Sequence, residues 1–245
     1  MDLETFMNRS KFNKVKTLCF LLILFLIPSI VNAQEKTNSQ YIDPSSFTIA
    51  RLKYGGGGDW YWGRSAVPNM LKFLEENTNI PVNESTLVGE PWVSIMDKEL
   101  FNYPFLFMTG HGNVKFTDEE IDRLRNYLTH GGFLFANDSY GLDKFFREEM
   151  KKVFPDKELV ELPASYGIYH CYYDFPNGLP KIHKHEGKPA QGFGIFYENR
   201  LVVFYVYESD ITDGWEDPEV HQDLPEKREL ALKMGVNIVT WVLGK

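Results

Sequence analysis

The hydrophobic pattern between Tyr103 and Tyr140 predicts one complete β-α-β unit. Phe105–Met108 is an unbroken apolar run that follows a proline, which is typical of a strand buried on both faces. The turn 109–112, Thr-Gly-His-Gly, comes directly after it. A second apolar run, Phe133–Ala136, predicts another buried strand, and it ends at the polar residues 137–139. The unit therefore places one polar turn after each of two buried strands.

The segment between these strands predicts a helix. Thr117 and Glu120 fit a capping box, because the hydroxyl can accept from the third amide of the helix while the carboxylate accepts from the first. Apolar residues recur at helical spacing, and Gly131-Gly132 ends the helix. Two buried strands joined by a helix run parallel, and ligands of open parallel sheets bind at the carboxyl ends of the strands. We therefore expect the two turns to lie side by side at a ligand cleft.

The remaining pattern adds to the same sheet. The predicted strands are 47–54, 159–162, 193–197 and 201–207, and the predicted helices are 65–77, 142–153 and 225–243. Glu198-Asn199 predicts a two-residue hairpin turn between the last two strands. The region 82–92 fits either a short strand or a loop, and the polar segment 208–223 is typical of a connection. The pattern thus indicates one α/β domain over residues 47–245, with a mainly parallel sheet and an antiparallel hairpin near the C-terminus.

Residues 1–33 have the three parts of a secretory signal peptide. Four basic residues precede the apolar run Leu18–Ile27, and Val31 and Ala33 form the expected exit. This run is too short to span a bilayer comfortably, although an uncleaved anchor is the alternative. We predict cleavage after Ala33, a flexible leader over 34–46, and a periplasmic or secreted protein without a stable membrane span. Met7 would be a more ordinary start for such a leader than Met1.

Charge and cysteine content narrow the class of partner. Without the four basic and two acidic residues of the predicted signal, the chain's 26 basic and 34 acidic residues become 22 and 32, a net charge of −10. This balance argues against nucleic acid and against an anionic membrane surface. Only Cys171 lies beyond the predicted cleavage site, so no intrachain disulfide is expected. The expected partners are a small-molecule ligand or an envelope protein.

A glycine-rich loop, 55–63, follows the first predicted strand. Its amides could cradle an anion at Gly56 and Gly57, with Asp59, Trp60 and Tyr61 as further ligand-binding residues. No Walker lysine follows, and the dinucleotide-binding spacing is missing. A purely structural, aromatic-flanked turn explains the same residues equally well.

His111 is the strongest single candidate for chemistry. It lies between Gly110 and Gly112 at the end of a predicted strand, where small neighbours let the imidazole face a cleft. Asn137, Asp138 and Ser139 end the neighbouring strand and complete the predicted site. Asp138 could orient His111 or act as an acid, whereas helix capping by Asp138 or Ser139 is the plain alternative. A histidine that only holds the turn is the alternative for His111.

Four other interpretations are weaker. Ser139 lacks the glycine pattern of a nucleophile elbow, and Cys171 has no evident activating charge. His183 and His185 alternate as metal ligands can, but the lysines at 181, 184 and 188 oppose a cation, so we predict no metal site and can name no cofactor. The many loop aromatics would suit a carbohydrate platform, although most such rings simply pack loops onto the core.

Several motifs together resemble the bacterial domain-of-unknown-function family 4159. They are Arg51-Leu52-Lys53-Tyr54-Gly55-Gly56, Asp59-Trp60-Tyr61, Tyr103-Pro104-Phe105, Met108-Thr109-Gly110-His111-Gly112, Gly131-Gly132-Phe133-Leu134 and Gly235-Val236-Asn237-Ile238. The resemblance covers nearly all of 47–243. It implies a three-layer sandwich of the flavodoxin-like kind, similar to the class I glutamine amidotransferases, and a protein that is exported or membrane-associated.

The chain departs from the family at two places. Asn137-Asp138 stands where the family often has paired acids, and Tyr166-Gly167 stands where it often has a His-Pro pair. The amidotransferase cysteine is also missing after Phe135, which disfavours glutamine hydrolysis by a thiol. The resemblance thus implies a fold more than a reaction. The sequence leaves three hypotheses: a small-ligand module, for example for carbohydrate; a hydrolase with a His111/Asp138 centre; and a non-catalytic envelope scaffold.

Overall fold

A seven-stranded sheet with the order β2-β1-β3-β4-β7-β6-β5 forms the centre of the fold. The computed structural model describes residues 43, 45–87 and 89–244. The strands are β1 (Ala50–Lys53), β2 (Trp92–Ser94), β3 (Phe105–Met108), β4 (Phe133–Asn137), β5 (Val160–Glu161), β6 (Gln191–Tyr197) and β7 (Arg200–Tyr207). The first four and β7 run parallel, whereas β6 is antiparallel to β7 and β5 is antiparallel to β6. The expected mainly parallel sheet with an antiparallel C-terminal part is confirmed.

A row of phenylalanines fixes the register of the central strands. Phe107 pairs with Phe135, and Phe135 pairs with Phe204. The first two rings are stacked with centroids 5.6 Å apart, and the next two lie 6.2 Å apart. The Trp215 ring packs against this row, with its centroid 5.6 Å from that of the Phe135 ring. All four side chains are fully buried, so this row is the centre of one face of the core.

Helices cover both faces of the sheet. They are α1 (Ala66–Asn77), α2 (Asp118–Thr129), α3 (Asp143–Val153), α4 (Pro218–His221) and α5 (Pro225–Leu243). α1 and α5 pack on the phenylalanine face, and α2 and α3 pack on the other. The resulting helix-sheet-helix arrangement is consistent with a three-layer sandwich.

Most predicted elements are present near their predicted bounds. The capping box at Thr117 and Glu120 is formed in full, and the hairpin turn at Glu198-Asn199 has φ values of 46° and 65°. Both residues therefore adopt the left-handed backbone that a two-residue hairpin turn requires.

The first two strands differ from prediction. β1 is shorter than 47–54, because Phe47 pairs only through an isolated bridge to Val82. The undecided region contains a 3-10 turn at Glu84–Leu87, and β2 begins only at Trp92. Val93 is the single buried residue of β2, so this edge strand has no apolar run from which to predict it.

The predicted signal peptide over 1–33 and nearly all of the predicted leader lie outside the described residues. Among the residues that are described, no helix has both the length and the apolar character needed to cross a membrane.

Gly235 allows α5 to pack closely, which gives a first prediction. A Cβ there would meet the Met70 thioether and lie 2.8 Å from the Trp215 ring. In a solvent-exposed helix a Gly→Ala substitution stabilises the protein by about 1 kcal/mol. Overpacking of a core, in contrast, destabilises it by roughly 1–3 kcal/mol. Gly235→Ala is therefore expected to lower the free energy of unfolding, measured by urea denaturation. Leu230→Ala, on the exposed side of α5, is the control, with a change of about 0.5 kcal/mol or less. A Gly235→Ala protein that is more stable than wild type, as in a solvent-exposed helix, would contradict the described packing.

Candidate functional site

The carboxyl ends of four parallel strands, β1, β3, β4 and β7, lie along one edge of the sheet. The chain runs outward from β1 to β2 and then returns to place β3 on the other side of β1. This reversal is the topological switch point, where open α/β sheets bind their ligands. The loop 55–63 and the turn 109–112 flank it.

The glycine-rich loop is held against the chain that follows β3. The Gly58 amide donates to Asn113 O at 2.9 Å, and the Lys115 amide donates to Gly55 O at 3.0 Å. A Cβ on Gly56 would lie 2.6 Å from the Lys115 nitrogen, so Gly56 is explained by close backbone approach. Gly57 faces open space. Of the two glycines of this loop that were predicted to bind a ligand, only Gly57 is free of such packing.

Asp59 and His111 form a hydrogen-bonded pair across the switch point. One Asp59 oxygen accepts from the His111 backbone amide, and the other lies 2.9 Å from the ring nitrogen Nδ1. The Trp62 ring packs edge-on against the imidazole at 4.8 Å. Gly110 allows the approach, since a Cβ there would lie 2.8 Å from Asp59 Oδ1, whereas Gly112 faces open space.

This pair has the chemistry of an oriented base. The His111 side chain is 38% exposed, and the hydrogen bonds of the described residues involve its Nδ1 but not its Nε2. A carboxylate at Nδ1 fixes the tautomer, which leaves Nε2 available to accept a proton from a ligand or a water.

The side chain of Asp138 bonds the Leu142 amide and not His111, the partner that the sequence suggested. Asp138 Oδ1 accepts at 2.9 Å from the amide of Leu142, the residue before α3, so it holds the turn between β4 and α3. α3 itself has no side-chain cap, so the helix-capping alternative is not fulfilled either. The side chains of the two neighbouring residues also bond groups inside the protein. Ser139 Oγ lies 2.9 Å from Thr109 Oγ1, and Asn137 donates to Asp210 at 3.0 Å. All three predicted residues, 137–139, are buried. The two turns do lie side by side, but only the His111 turn is accessible.

Sequence reasoning missed the polar end of β7. Asp210 is buried, and its Oδ2 lies 3.0 Å from His185 Nε2, whose ring packs against Tyr140. Although burial raises the pKa of Asp210, the hydrogen bonds from His183, His185 and Asn137 lower it to about 2. Glu208 is similarly buried and accepts from Lys181 at 2.8 Å. The sequence signal that could have revealed this cluster is the series of acids directly after β7.

An aromatic cleft of about 630 Å³ lies at the β1–β2 edge of the sheet, beside the first turn of α1. Trp60, Tyr61 and Trp92 line it, with the Trp60 ring 5.7 Å from each of the other two rings. Polar lining comes from Arg51, Glu90, Asn69 and neighbouring residues. The residues 59–62 therefore separate this cleft from His111, with Trp62 on the His111 side.

Arg51 holds residues 60–63 in place through hydrogen bonds to their backbone carbonyls. Its guanidinium is buried and donates to Trp60 O at 3.2 Å, Trp62 O at 2.6 Å and Gly63 O at 2.8 Å. It also pairs with one oxygen of Glu90. The other oxygen, Oε2, is buried and has no hydrogen-bond partner among the described residues. Burial raises the pKa of Glu90, and the neighbouring Arg51 opposes that rise.

The buried Asp138 gives a pH prediction. Burial raises its pKa from 3.8 to about 6. Because the unfolded chain ionises first as the pH rises, this carboxyl lowers the free energy of unfolding between about pH 4 and pH 6. Asn keeps an oxygen for the Leu142 amide, so Asp138→Asn should become more stable relative to wild type by roughly 1–3 kcal/mol across that interval.

Urea denaturation at several pH values measures this difference. Asp122→Asn, at a 76% exposed carboxylate, is the control and should show no comparable trend. A difference between Asp138→Asn and wild type that does not vary with pH would contradict the assignment.

The comparisons with known proteins agree with the resemblance seen in the motifs. No curated protein matches the chain. The model of the family described as "Domain of unknown function (DUF4159)" matches residues 48–243, which is most of the chain and includes every strand of the sheet. The protein is therefore a member of the DUF4159 family.

Proposed function

We propose that this protein is an exported small-ligand-binding domain that takes a neutral carbohydrate in the aromatic cleft. The observation that carries the proposal is the combination of three aromatic walls with the Glu90 carboxylate in one cavity. Its volume of about 630 Å³ is in the range of small-molecule sites. Aromatic faces pack against the apolar faces of sugar rings, and a carboxylate oxygen accepts from sugar hydroxyls.

The charges of the cleft favour a neutral ligand, because its two arginines, Arg51 and Arg64, are matched by two carboxylates, Glu90 and Asp217. Arg51 is already balanced by Glu90 and by three backbone carbonyls, so it is not available to pair with an anion. Glu90 Oε2 requires a donor and not another acceptor. A hydroxyl satisfies this oxygen without bringing a second charge into a buried site.

Two finer assignments accompany this proposal. Export rests on the signal-peptide pattern of residues 1–33, with cleavage after Ala33. A relation to the class I glutamine amidotransferase fold rests on the motif resemblance and on the central parallel strands with helices on both faces.

Isothermal titration with a set of neutral mono- and oligosaccharides tests the binding proposal. Trp60→Ala and Trp92→Ala should each weaken binding about tenfold, because each removes one stacking face worth roughly 1 kcal/mol or more. Glu90→Gln should also weaken binding, since it replaces an acceptor pair with one acceptor and one donor. Phe101→Ala truncates an exposed aromatic outside the cleft and should bind as wild type does. If no saccharide binds wild type at millimolar concentration, the proposal fails.

The Asp59–His111 pair favours a hydrolase as the second candidate function. In that reading His111 Nε2 takes a proton from an attacking water, and Asp59 holds the ring and stabilises its protonated form. Ser139 is buried against Thr109, which leaves water as the nucleophile that the geometry favours.

Hydrolysis of a panel of small ester, amide and glycoside substrates tests this candidate, because residues 59–62 separate the saccharide cleft from His111. His111→Ala should lower kcat by about 10²–10⁴-fold, and Asp59→Asn should lower kcat while leaving KM nearly unchanged. His130→Ala, at an exposed histidine on the far end of α2, is the control. Wild-type protein that hydrolyses no substrate of the panel, or a His111→Ala protein that retains full turnover, would exclude the hydrolase.

A further inference from the structure

A cluster of histidines and carboxylates lies in the segments around β7, and its three central residues do not line the aromatic cleft. We name His183, Asp213 and His221 the His–Asp cluster. One ligand atom from each of them lies within 4.8 Å of one from each of the others. Asp213 Oδ2 is 3.0 Å from His183 Nδ1 and 3.5 Å from His221 Nε2. These two separations are close to the distance of about 3.4 Å between neighbouring ligands of a tetrahedral Zn²⁺ ion.

The second ring nitrogen of His183, Nε2, has the kind of carboxylate partner that metal-binding histidines have. This nitrogen lies 2.9 Å from Asp223 Oδ2, and Lys227 pairs with the other oxygen of Asp223 at 3.0 Å. Metal-binding histidines typically donate their second N–H to a carboxylate, which fixes the tautomer and directs the free lone pair at the ion. With this tautomer, Nδ1 of His183 presents its lone pair to Asp213.

Asp213 supplies an independent indication that something is bound. Its side chain is only 8% exposed, and its Oδ1 is buried without a hydrogen-bond partner among the described residues. A buried carboxylate oxygen without a donor is costly unless a ligand satisfies it. The second oxygen already faces both histidines, so an ion between them would be within reach of the same carboxylate.

The charge around the cluster calls for a cation. Two more carboxylates approach it: Glu216 Oε1 lies 3.1 Å from His221 Nε2, and Asp210 Oδ2 lies 3.8 Å from His183 Nδ1. Two of the three lysines that argued against a metal site in the sequence have carboxylate partners outside the cluster. Lys181 pairs with Glu208, and Lys188 pairs with Glu186. These pairings weaken the sequence argument against a metal here.

We propose that the His–Asp cluster binds a divalent transition-metal ion of the Zn²⁺ type. Two imidazoles and one carboxylate suit Zn²⁺ better than Mg²⁺ or Ca²⁺, which prefer all-oxygen ligands. The His183 and His221 side chains are 24% and 18% exposed, so the ion can be reached and can keep a water as its fourth ligand. It would join the loop at 183, the 3-10 turn Asp213–Trp215 and α4. This inference is independent of the carbohydrate proposal.

Zinc titration of the untagged, EDTA-stripped full chain tests the inference. Wild type is expected to bind one equivalent of Zn²⁺, with Tm raised by roughly 5–10 °C at a hundredfold excess over Kd. Affinity should fall as the pH is lowered, because protons compete for the imidazoles. Asp213→Asn and His221→Gln should each weaken binding at least about tenfold. His130→Ala and His170→Ala remove histidines outside the cluster and should bind as wild type does.

A spectroscopic measurement on wild type keeps the test independent of variant folding. X-ray absorption of the Zn²⁺-loaded protein should show two imidazoles and oxygen ligands, and Co²⁺ substitution should give visible bands of a nitrogen- and oxygen-ligated ion. Folded wild type without saturable binding below about 100 μM would overturn the inference. Folded cluster variants that bind as wild type does, or a spectrum with fewer than two imidazoles, would also overturn it.

Discussion

The register of β3, β4 and β7 is the constraint on which the rest of the structure depends. Phe107, Phe135 and Phe204 stand side by side on one face, and helices bury the sheet from both sides. Sliding one strand by a single residue would move its phenylalanines to the opposite face and disrupt both cores at once. The register therefore fixes which residues leave each strand at its carboxyl end, and the polar turns after β3, β4 and β7 meet at one edge.

Most of the polar groups that meet at the centre of this edge bond one another. Thr109 bonds Ser139, Asn137 bonds Asp210, and Asp210 bonds His185. The exception among the described residues is Asn137 Oδ1, which is buried without a hydrogen-bond partner. Pairing within such a buried network consumes most of the groups that a ligand would need. Accessible chemistry is consequently found on the two flanks: the Asp59–His111 pair and the aromatic cleft on the β1 side, and the His–Asp cluster on the β7 side.

The sequence predicts elements with strong local signals and misses those defined by tertiary contacts. An unbroken apolar run marks β3, and a capping box marks the start of α2, since both signals are contained in a few consecutive residues. β2 and the partner of His111 depend on distant segments, so no local pattern predicts them. The end of β7 was missed for another reason. β6 and β7 form the expected antiparallel hairpin, but the sequence did not indicate that β7 pairs with β4 in parallel, which brings the acids after β7 to the same edge.

Arg51 links the cleft to the His111 side of the molecule. Its guanidinium donates to carbonyls at both ends of Trp60–Trp62 and pairs with Glu90 in the cleft. A buried cation that loses its partner is strongly destabilising, so the loop carbonyls and the Glu90 carboxylate must be arranged together. Trp62 in turn packs on His111, which Asp59 holds from the same loop. The conformation that closes the wall of the cleft is thus also the one that orients the imidazole.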